Sequence, residues 1–362
     1  MSVDDKKYIA QFGSFDVKNY GDLLFPDIIG KEFLDYNIHL FSPNGGNKPF
    51  SDKEVFPCDE FENMVQKYEY KAVIIGGGDI IRLDNYILTQ YSSGLEPAIA
   101  MWQLPCIIAA QNNIPILFNG VGVPFSFRPE CRNLVKYIFD LADYISVRDE
   151  VSKIYLEECG VQNISVVPDT VFKIKEVYDV DYLAQIGRQI LEKYGILADE
   201  EYIVFQHNIV NVNDERYMQY LCHTLQEYSE KTNKKIVFMP IGYVHKDEQF
   251  MKKLFSTINS NSYYIDAELN LEQMTAILAC SSGYVGTSMH GAIVTLSYGK
   301  FAICMNDMNL AKIDGLYRKI GKDAWNIKNK YNLDKILFDQ SLEESIKLNF
   351  SSDIEDHFMK MR

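Results

Sequence analysis

The sequence lacks several patterns by which common protein classes are recognised. It has 36 Lys and Arg residues against 50 Asp and Glu residues, a formal net charge of −14. Nucleic acids and anionic membrane surfaces are bound through basic residues, so this balance argues against both as partners. No apolar run approaches the roughly 18 residues that span a bilayer, and the first residues, MSVDDKKYIAQF, lack the apolar segment of a signal peptide. We therefore expect a soluble, cytoplasmic protein that holds any anionic ligand with a few local cations and backbone amides.

Metal and dinucleotide motifs are also missing. The seven cysteines are scattered without a CxxC pair, a pattern that predicts reduced, buried thiols rather than a disulfide framework. The six histidines show neither HxH nor HExxH spacing, so we expect no metal site. No GxGxxG segment follows a predicted strand, and a nicotinamide cofactor is therefore not expected.

Short apolar runs alternate with helical patterns through both halves of the 362 residues. Strands are predicted at 7–15, 37–43, 71–78, 115–122, 144–149 and 164–169, and again at 201–208, 234–242, 261–266, 282–288 and 300–307. The runs are almost continuously apolar, as in parallel strands covered by helices on both faces. This indicates an α/β fold of two Rossmann-like, doubly wound domains with an interdomain cleft. The predicted domains are residues 1–180 and 181–335, followed by a helical tail, 336–362, that packs back on the first domain.

Ligands in such sheets bind beyond the carboxyl ends of the strands. In the first half, four motifs fall there: NYGD (19–22), GGGD (76–79), NGVG (119–122) and SVRD (146–149). Each glycine-rich segment is either a ligand-binding turn or a tight structural turn. Arg148 is either a clamp for phosphate or carboxylate, or the partner of Asp149, Glu150 or a distant acid. The candidate substrate-binding residues of this half are Asn19, Gly21, Asp22, Gly77, Gly78, Asp79 and Asn119.

In the second half, three histidines follow predicted strands: His207, His245 and His290. The strongest local signal is GTSMHGA (286–292), which runs from a strand into a helix. It predicts Thr287 and Ser288 at the helix cap and His290 in the first turn, where a histidine suits proton transfer or ligand binding.

The remaining candidates of this half have a charged side chain beyond a strand. Asp247 follows His245, and Lys312 is either a charge near the same sheet end or part of a solvated helix face. His39 is expected in the core, whereas His223 and His357 are expected at the surface.

The order of these motifs resembles that of the polysaccharide pyruvyl transferases. NxGD, GGGD, NGVG, SxRD, PD (168–169), GxxHxD (242–247) and TSMHG (287–291), followed by a Lys after a strand, carry the similarity over residues 7–320. The resemblance implies a GT-B-like pair of domains. It also implies transfer of a pyruvyl group from phosphoenolpyruvate to two hydroxyls of a sugar in a surface-polysaccharide precursor, forming a ketal and releasing phosphate.

On this resemblance, His290 and Arg148 are the catalytic residues. His290 matches the family's important histidine and is expected to act as general acid and base. Arg148 and Lys312, helped by helix-cap amides near Asn19 and Thr287, are expected to hold the donor's phosphate and carboxylate. Asp22, Asp79, His245 and Asp247 are candidates for contacts with the sugar hydroxyls. Many members carry an arginine two residues before the histidine, where this chain has Ser288.

Two other functions fit the same pattern. One is a GT-B glycosyltransferase that uses a nucleotide sugar, since fold alone does not decide chemistry. The other is a non-catalytic, glycan-binding relative, which Ser288 in place of the arginine favours. The expected partners are phosphoenolpyruvate, as donor substrate rather than cofactor, and a sugar or lipid-linked glycan acceptor, with at most peripheral membrane contact.

Overall fold

The computed structural model describes residues 7–83, 96–258, 261–339, 342, 348 and 350–362. The chain divides into two compact units. Unit 1 contains the described residues of Met1–Val17, Asp22–Thr170 and Phe350–Arg362, and unit 2 those of Lys18–Gly21 and Val171–Asn349. Parts of the predicted domains and tail lie outside the described residues, namely 1–6, 84–95, 259–260, 340–341, 343–347 and 349.

Unit 1 is built on an eight-stranded sheet in the order β3-β4-β2-β1-β5-β6-β7-β8. The strands are β1 (Tyr8–Phe12), β2 (Asn37–Ser42), β3 (Gly46–Asn47), β4 (Glu54–Pro57), β5 (Tyr70–Ile75), β6 (Ile116–Val121), β7 (Tyr144–Val147) and β8 (Ile164–Val166). All pairings are parallel except that of β3 with β4. β6 is buried along its whole length, as expected for a strand covered on both faces. The predicted strands of this half are confirmed.

The helices of the first half are α1 (Tyr20–Glu32), α2 (Phe61–Met64), α3 (Leu104–Gln111), α4 (Arg132–Phe139) and α5 (Glu150–Glu157). The first two residues of α1 group with unit 2. Asp149 begins α5 by accepting a hydrogen bond from the Ser152 amide, 2.7 Å away, which leaves Arg148 between the end of β7 and this cap.

Unit 2 contains a six-stranded, all-parallel sheet in the order β11-β10-β9-β12-β13-β14. Its strands are β9 (Tyr202–Gln206), β10 (Lys235–Phe238), β11 (Ser262–Tyr264), β12 (Gly283–Gly286), β13 (Phe301–Met305) and β14 (Asn326–Ile327). Its helices are α6 (Ile174–Val177), α7 (Val180–Lys193), α8 (Glu215–Thr232), α9 (Asp247–Phe255), α10 (Leu271–Cys280), α11 (Met289–Ser297), α12 (Ala311–Lys319) and α13 (Leu333–Leu337). Side chains of Asp179, Asp214, Asn270 and Ser288 cap α7, α8, α10 and α11.

All seven cysteines are free thiols. Four of them are buried, as predicted, whereas Cys131, Cys222 and Cys280 are half-buried. None of the helices in the described ranges combines the length and the apolar composition that a membrane crossing requires.

The last helix, α14 (Ser351–Met361), belongs to unit 1. Its His357 was expected at the surface, and that expectation is wrong, since the side chain is 1% exposed. The Nε2–H of His357 donates to Oδ1 of Asn119 over 2.8 Å, and its Nδ1 lies 3.0 Å from the hydroxyl of Tyr144. Burial lowers the pKa of His357 to about 4. The sequence could not show this, because the partners lie more than 200 residues away.

We predict that His357 makes the protein more sensitive to acid. Because its pKa is about 4 in the folded state and about 6.5 in the unfolded state, His357 binds a proton more readily after unfolding. Its contribution to the free energy of unfolding is therefore complete above about pH 6.5 and is lost as the pH falls towards 4. At pH 5 the loss is about 2 kcal/mol. Thermal unfolding from pH 7 to 5 is expected to show a smaller fall in Tm for His357→Gln than for the wild type. His223→Gln is the control, since His223 is exposed, and equal slopes for the wild type and His357→Gln would refute the assignment.

Candidate functional site

Gln206, the last residue of β9, is the centre of a buried hydrogen-bond network in unit 2. Its Oε1 accepts hydrogen bonds from the Tyr284 hydroxyl at 2.8 Å and from the amides of Thr287 and Ser288 at 3.0 Å each. Its Nε2 donates to Oδ2 of Asp247 over 2.8 Å. One side chain therefore fixes the turn before α11 to the start of α9.

The turn held by Gln206 leads into the first turn of α11, which contains His290. Ser288 is the N-cap of α11, and its Oγ accepts a hydrogen bond from the Gly291 amide over 3.3 Å. His290 follows in the first turn with 8% of its surface exposed. Its imidazole lies directly against Gly21, so closely that a Cβ at Gly21 would collide with the ring. The position of the ring is thus set both by its own helix and by residue 21.

The segment before α1 is joined to the end of β10. Asn19 forms an antiparallel bridge with Gly242, and the Tyr20 amide donates to the Ile241 carbonyl over 3.0 Å. The Val244 amide in turn donates to the Lys18 carbonyl over 3.3 Å. These bonds bring the predicted Asn19 and Gly21 to the same edge of unit 2 as Asp247 and His290.

Asp247 faces inward. Its carboxylate is fully buried, and Oδ2 accepts hydrogen bonds from the amides of Gly242 and Ile241 at 2.7 and 3.3 Å as well as from Gln206. Burial raises the pKa of Asp247 to about 7, and these hydrogen bonds oppose the rise. The hydrogen bonds of Oδ2 thus join Asp247 to Gln206 and to the backbone before α9.

The other predicted residues of unit 2 lie in different surroundings. His207 is buried, its ring stacked on Phe250 with centroids 4.1 Å apart. Its ring nitrogens contact the Asn208 carbonyl and the Tyr217 hydroxyl at 2.8 and 3.1 Å, and burial lowers its pKa to about 4. No ring nitrogen of His207 is left for a substrate in this arrangement.

His245 and Lys312 are nearer to solvent. His245 is exposed in the 3₁₀ turn Tyr243–His245. Lys312 is half-buried on α12, and its charge acts on the thiol of Cys304, whose Sγ lies 3.7 Å from the Ser288 carbonyl. A cation is thus present on the α11 side of the sheet.

Sequence reasoning missed Gln206 and Tyr284. Both are polar residues in strands, and a polar side chain close to a strand end was the only available signal. Gln206 pairs with Gly286 across β9 and β12, and a Cβ at Gly286 would lie 2.7 Å from the Gln206 oxygen. The glycine therefore makes room for the network.

We predict that Gln206→Leu destabilises unit 2. The change leaves two amides and a hydroxyl without their buried acceptor, and each unsatisfied group costs about 1–3 kcal/mol. A loss of at least about 3 kcal/mol is therefore expected in urea unfolding. Gln249→Leu is the control, because Gln249 is exposed on α9. Equal stability of the two variants would show that the network contributes little.

In unit 1, the GGGD motif forms the turn after β5. Gly76 and Gly78 have φ values of +119° and +86°, which favour glycine. A Cβ at Gly78 would lie 2.8 Å from the Asp22 carboxylate, and one at Gly77 would strike the ring of Phe25. The motif therefore permits a close approach of α1, so these glycines serve packing in this structure.

Arg148 lies in the same unit between two carboxylates. Its Nη2 pairs with Oδ1 of Asp79, and its Nη1 lies 3.4 Å from Oδ2 of Asp169. The Arg148 side chain is 3% exposed and that of Asp79 is 23% exposed. Burial opposes the charge, but the neighbouring carboxylates outweigh it and raise the pKa of Arg148. Of the two interpretations, the structure shows the ion pairs, with the distant acids rather than Asp149 or Glu150 as the hydrogen-bonded partners.

Asn119 also serves the interior of unit 1. It is fully buried, and its Oδ1 accepts the hydrogen bond from His357. Among the described residues, no group of three or more His, Cys, Asp or Glu side chains is arranged to hold a metal ion.

The fold is shared with solved enzymes of nucleotide-sugar chemistry. UDP-GlcNAc 2-epimerase from Methanocaldococcus jannaschii has a TM-score of 0.63 at 15% identity, covering 98% of this chain and 99% of that chain. The Neisseria meningitidis UDP-GlcNAc 2-epimerase, bound to UDP-GlcNAc, has a TM-score of 0.61 at 11% identity, covering 98% of both chains. The predicted GT-B-like α/β class, with parallel sheets, is thereby confirmed.

The family follows from a sequence comparison. The model of the polysaccharide pyruvyl transferase family matches residues 19–307, which include both the GGGD motif and His290. The chain belongs to this family, and it is accordingly a transferase that modifies polysaccharides. A search of curated proteins found no significant match.

Proposed function

We propose that the protein transfers a pyruvyl group from phosphoenolpyruvate to two hydroxyls of one sugar in a surface-polysaccharide precursor. The products are a cyclic pyruvate ketal and phosphate. The observation that carries the proposal is the setting of His290, a buried histidine in the first turn of α11, beside Gly21 and after a turn held by Gln206. Family membership supports the same chemistry.

The reaction balances with one acid and one base. Protonation of the donor's methylene carbon by the His290 imidazolium creates an oxocarbenium-like centre at the neighbouring carbon. One sugar hydroxyl adds there and loses its proton to the neutral imidazole. The second hydroxyl then displaces phosphate, which leaves with its bridging oxygen and takes up the second hydroxyl proton. The scheme requires neither a metal ion nor a further cofactor.

The surrounding residues have separate tasks in this proposal. Lys312 supplies positive charge for the donor's anionic groups, because the guanidinium of Arg148 is held by two carboxylates. The amides of Thr287 and Ser288 donate to Gln206, so they orient the helix start instead of binding phosphate. Asn19 and His245, on either side of Gly242, offer polar groups to the sugar. We assign the reaction to the cytoplasm.

The test is turnover of phosphoenolpyruvate with a panel of glycan acceptors in D₂O. Wild-type protein is expected to release phosphate and to form a ketal whose methyl group carries deuterium, observed by NMR and mass spectrometry. His290→Asn is expected to lower the rate by about 10²–10⁴-fold. His223→Asn, at an exposed position, is the control. Full activity of His290→Asn would exclude the assigned acid.

The rival donor is a nucleotide sugar. The similar structure from Neisseria meningitidis binds UDP-GlcNAc, so the same panel includes UDP-GlcNAc with and without phosphoenolpyruvate. Consumption of UDP-GlcNAc in the absence of phosphoenolpyruvate would overturn the pyruvyl transfer in favour of glycosyl transfer. Glycan binding without turnover of either donor would identify a non-catalytic relative.

A further inference from the structure

Unit 1 contains a pocket that the proposed reaction does not use. Its volume is about 290 Å³, and its walls include Arg82, Leu83, Phe125, Phe127 and Arg128. Leu83 and Arg82 follow the GGGD turn after β5, whereas the other three follow the NGVG turn after β6. Because β5 and β6 are adjacent and parallel, the pocket lies at the carboxyl edge of the sheet, where ligands of α/β proteins bind.

The two walls are joined by backbone hydrogen bonds. The Gly122 amide donates to the Gly78 carbonyl over 2.9 Å, and the Ile81 amide donates to the Gly122 carbonyl over 3.3 Å. Arg132 further supports the second wall by donating its Nε–H to the Phe127 carbonyl over 3.3 Å. These bonds hold the two turns together, and walls that are already in place lower the entropic cost of binding.

The described lining of the pocket is basic, although the chain as a whole is acidic. The formal net charge of the chain is −14, yet two arginines and no acidic residue line this pocket within the described part of the chain. Outside this lining, Oε1 of Glu130 lies 3.5 Å from the Nε of Arg128, and both side chains are mostly exposed. Paired guanidinium groups match the geometry of phosphate oxygens.

An aromatic ring stands beside these charges. The guanidinium carbon of Arg82 lies 5.2 Å from the centroid of the Phe125 ring, and Phe125 is 57% exposed. Phe127, by contrast, is 5% exposed and forms the floor. An exposed aromatic face next to arginines fits a ligand with one apolar face and one anionic end, and a sugar phosphate has both.

We propose that this pocket binds the phosphate of a phosphorylated sugar, with Arg82 and Arg128 on the phosphate and Phe125 against the ring of the sugar. Its volume lies at the lower end of the roughly 300–1,000 Å³ of small-molecule sites, which suits a monosaccharide phosphate better than a nucleotide sugar. This binding site does not depend on the proposed function.

The experiment is titration calorimetry of the full chain with glucose 1-phosphate, glucose, glucuronate and inorganic phosphate. Glucose 1-phosphate is expected to bind most tightly, because only it offers both the ring and the phosphate. Arg82→Ala and Arg128→Ala are each expected to weaken its binding by about tenfold or more, and Phe125→Ala by several-fold. Arg188→Ala, at an exposed position on α7, is the matched control.

Two results would overturn the site. One is binding of glucose 1-phosphate that is unchanged in Arg82→Ala/Arg128→Ala while thermal unfolding shows that variant to be folded. The other is equal or tighter binding of glucuronate or unphosphorylated glucose, which would exclude phosphate recognition. His290→Asn is expected to bind glucose 1-phosphate like the wild type. Arginine-dependent binding of glucose 1-phosphate therefore supports the pocket whether or not pyruvyl transfer is observed, and the two proposals are tested separately.

Discussion

Gly21→Ala is expected to lower phosphoenolpyruvate-dependent phosphate release by about 100-fold, the cost of displacing a reacting group by roughly 1 Å. An added methyl group would overlap the His290 ring and lie 2.8 Å from the His290 Cβ. Rotation of the ring does not relieve this overlap, because the Cβ atom moves only with the helix. The imidazole and the first turn of α11 must shift together, and over-packing of this kind also destabilises by about 1–3 kcal/mol.

Gly30→Ala is the matched control for this prediction. Gly30 lies in the same helix, α1, and a Cβ there meets nothing within 4 Å. Alanine is the better helix former by about 1 kcal/mol, so this variant is expected to be as active as the wild type and slightly more stable. Steady-state kinetics and urea unfolding of Gly21→Ala and Gly30→Ala test the prediction. Normal kinetics of Gly21→Ala would show that the position of His290 is unimportant for turnover.

Arg148→Met is expected to cost about 3–5 kcal/mol of stability, because it leaves the buried carboxylate of Asp169 and the half-buried one of Asp79 without their cation. The methionine fills much the same space, so lost packing contributes little. Asp169→Asn in the same chain is expected to restore part of the loss, since the double variant buries one negative charge fewer. Urea unfolding of the single variants and the double variant gives the coupling energy of the pair.

This prediction separates two roles for Arg148. A residue that only clamps the donor would leave stability unchanged on substitution and lower activity alone. Arg188→Met is the control for the loss of a guanidinium, since Arg188 is exposed on α7. An Arg148→Met variant as stable as Arg188→Met would return Arg148 to the donor site that the family resemblance suggested.

The alternation of apolar runs was sufficient to predict the two parallel sheets and the sharp strand ends at which the motifs lie. It was not sufficient to choose between Gln206 and His207. Successive side chains of a strand point to opposite faces, and the face that meets the start of α11 is set by the register of Gln206 with Gly286. Register between distant strands is a property of the assembled sheet and cannot be read from either strand alone. His207 was therefore predicted as the site residue in place of Gln206.

The roles of charged residues were difficult to predict for the same reason, because their partners lie far away in the sequence. The sequence offered Arg148 either its neighbours Asp149 and Glu150 or an unspecified distant acid as partner. The carboxylates that hold it are the distant ones of Asp79 and Asp169. The pocket between Arg82 and Arg128 joins segments about 45 residues apart, which become neighbours only because β5 and β6 are adjacent. By contrast, Ser288 and His290 form a local motif, and their cap and first-turn positions were predicted correctly.

The placement of α14 has a consequence for synthesis on the ribosome. Unit 1 is completed by residues 350–362, which leave the ribosome only after the whole of unit 2. Until then, Asn119 and Tyr144 lack the hydrogen-bonding contacts that His357 makes with them in the complete protein. Unit 2, although later in sequence, has all of its residues available first. A nascent chain that stalls before residue 350 therefore has every residue of unit 2 but lacks the last helix of unit 1. Unit 1 is accordingly the part that chaperones must protect longest.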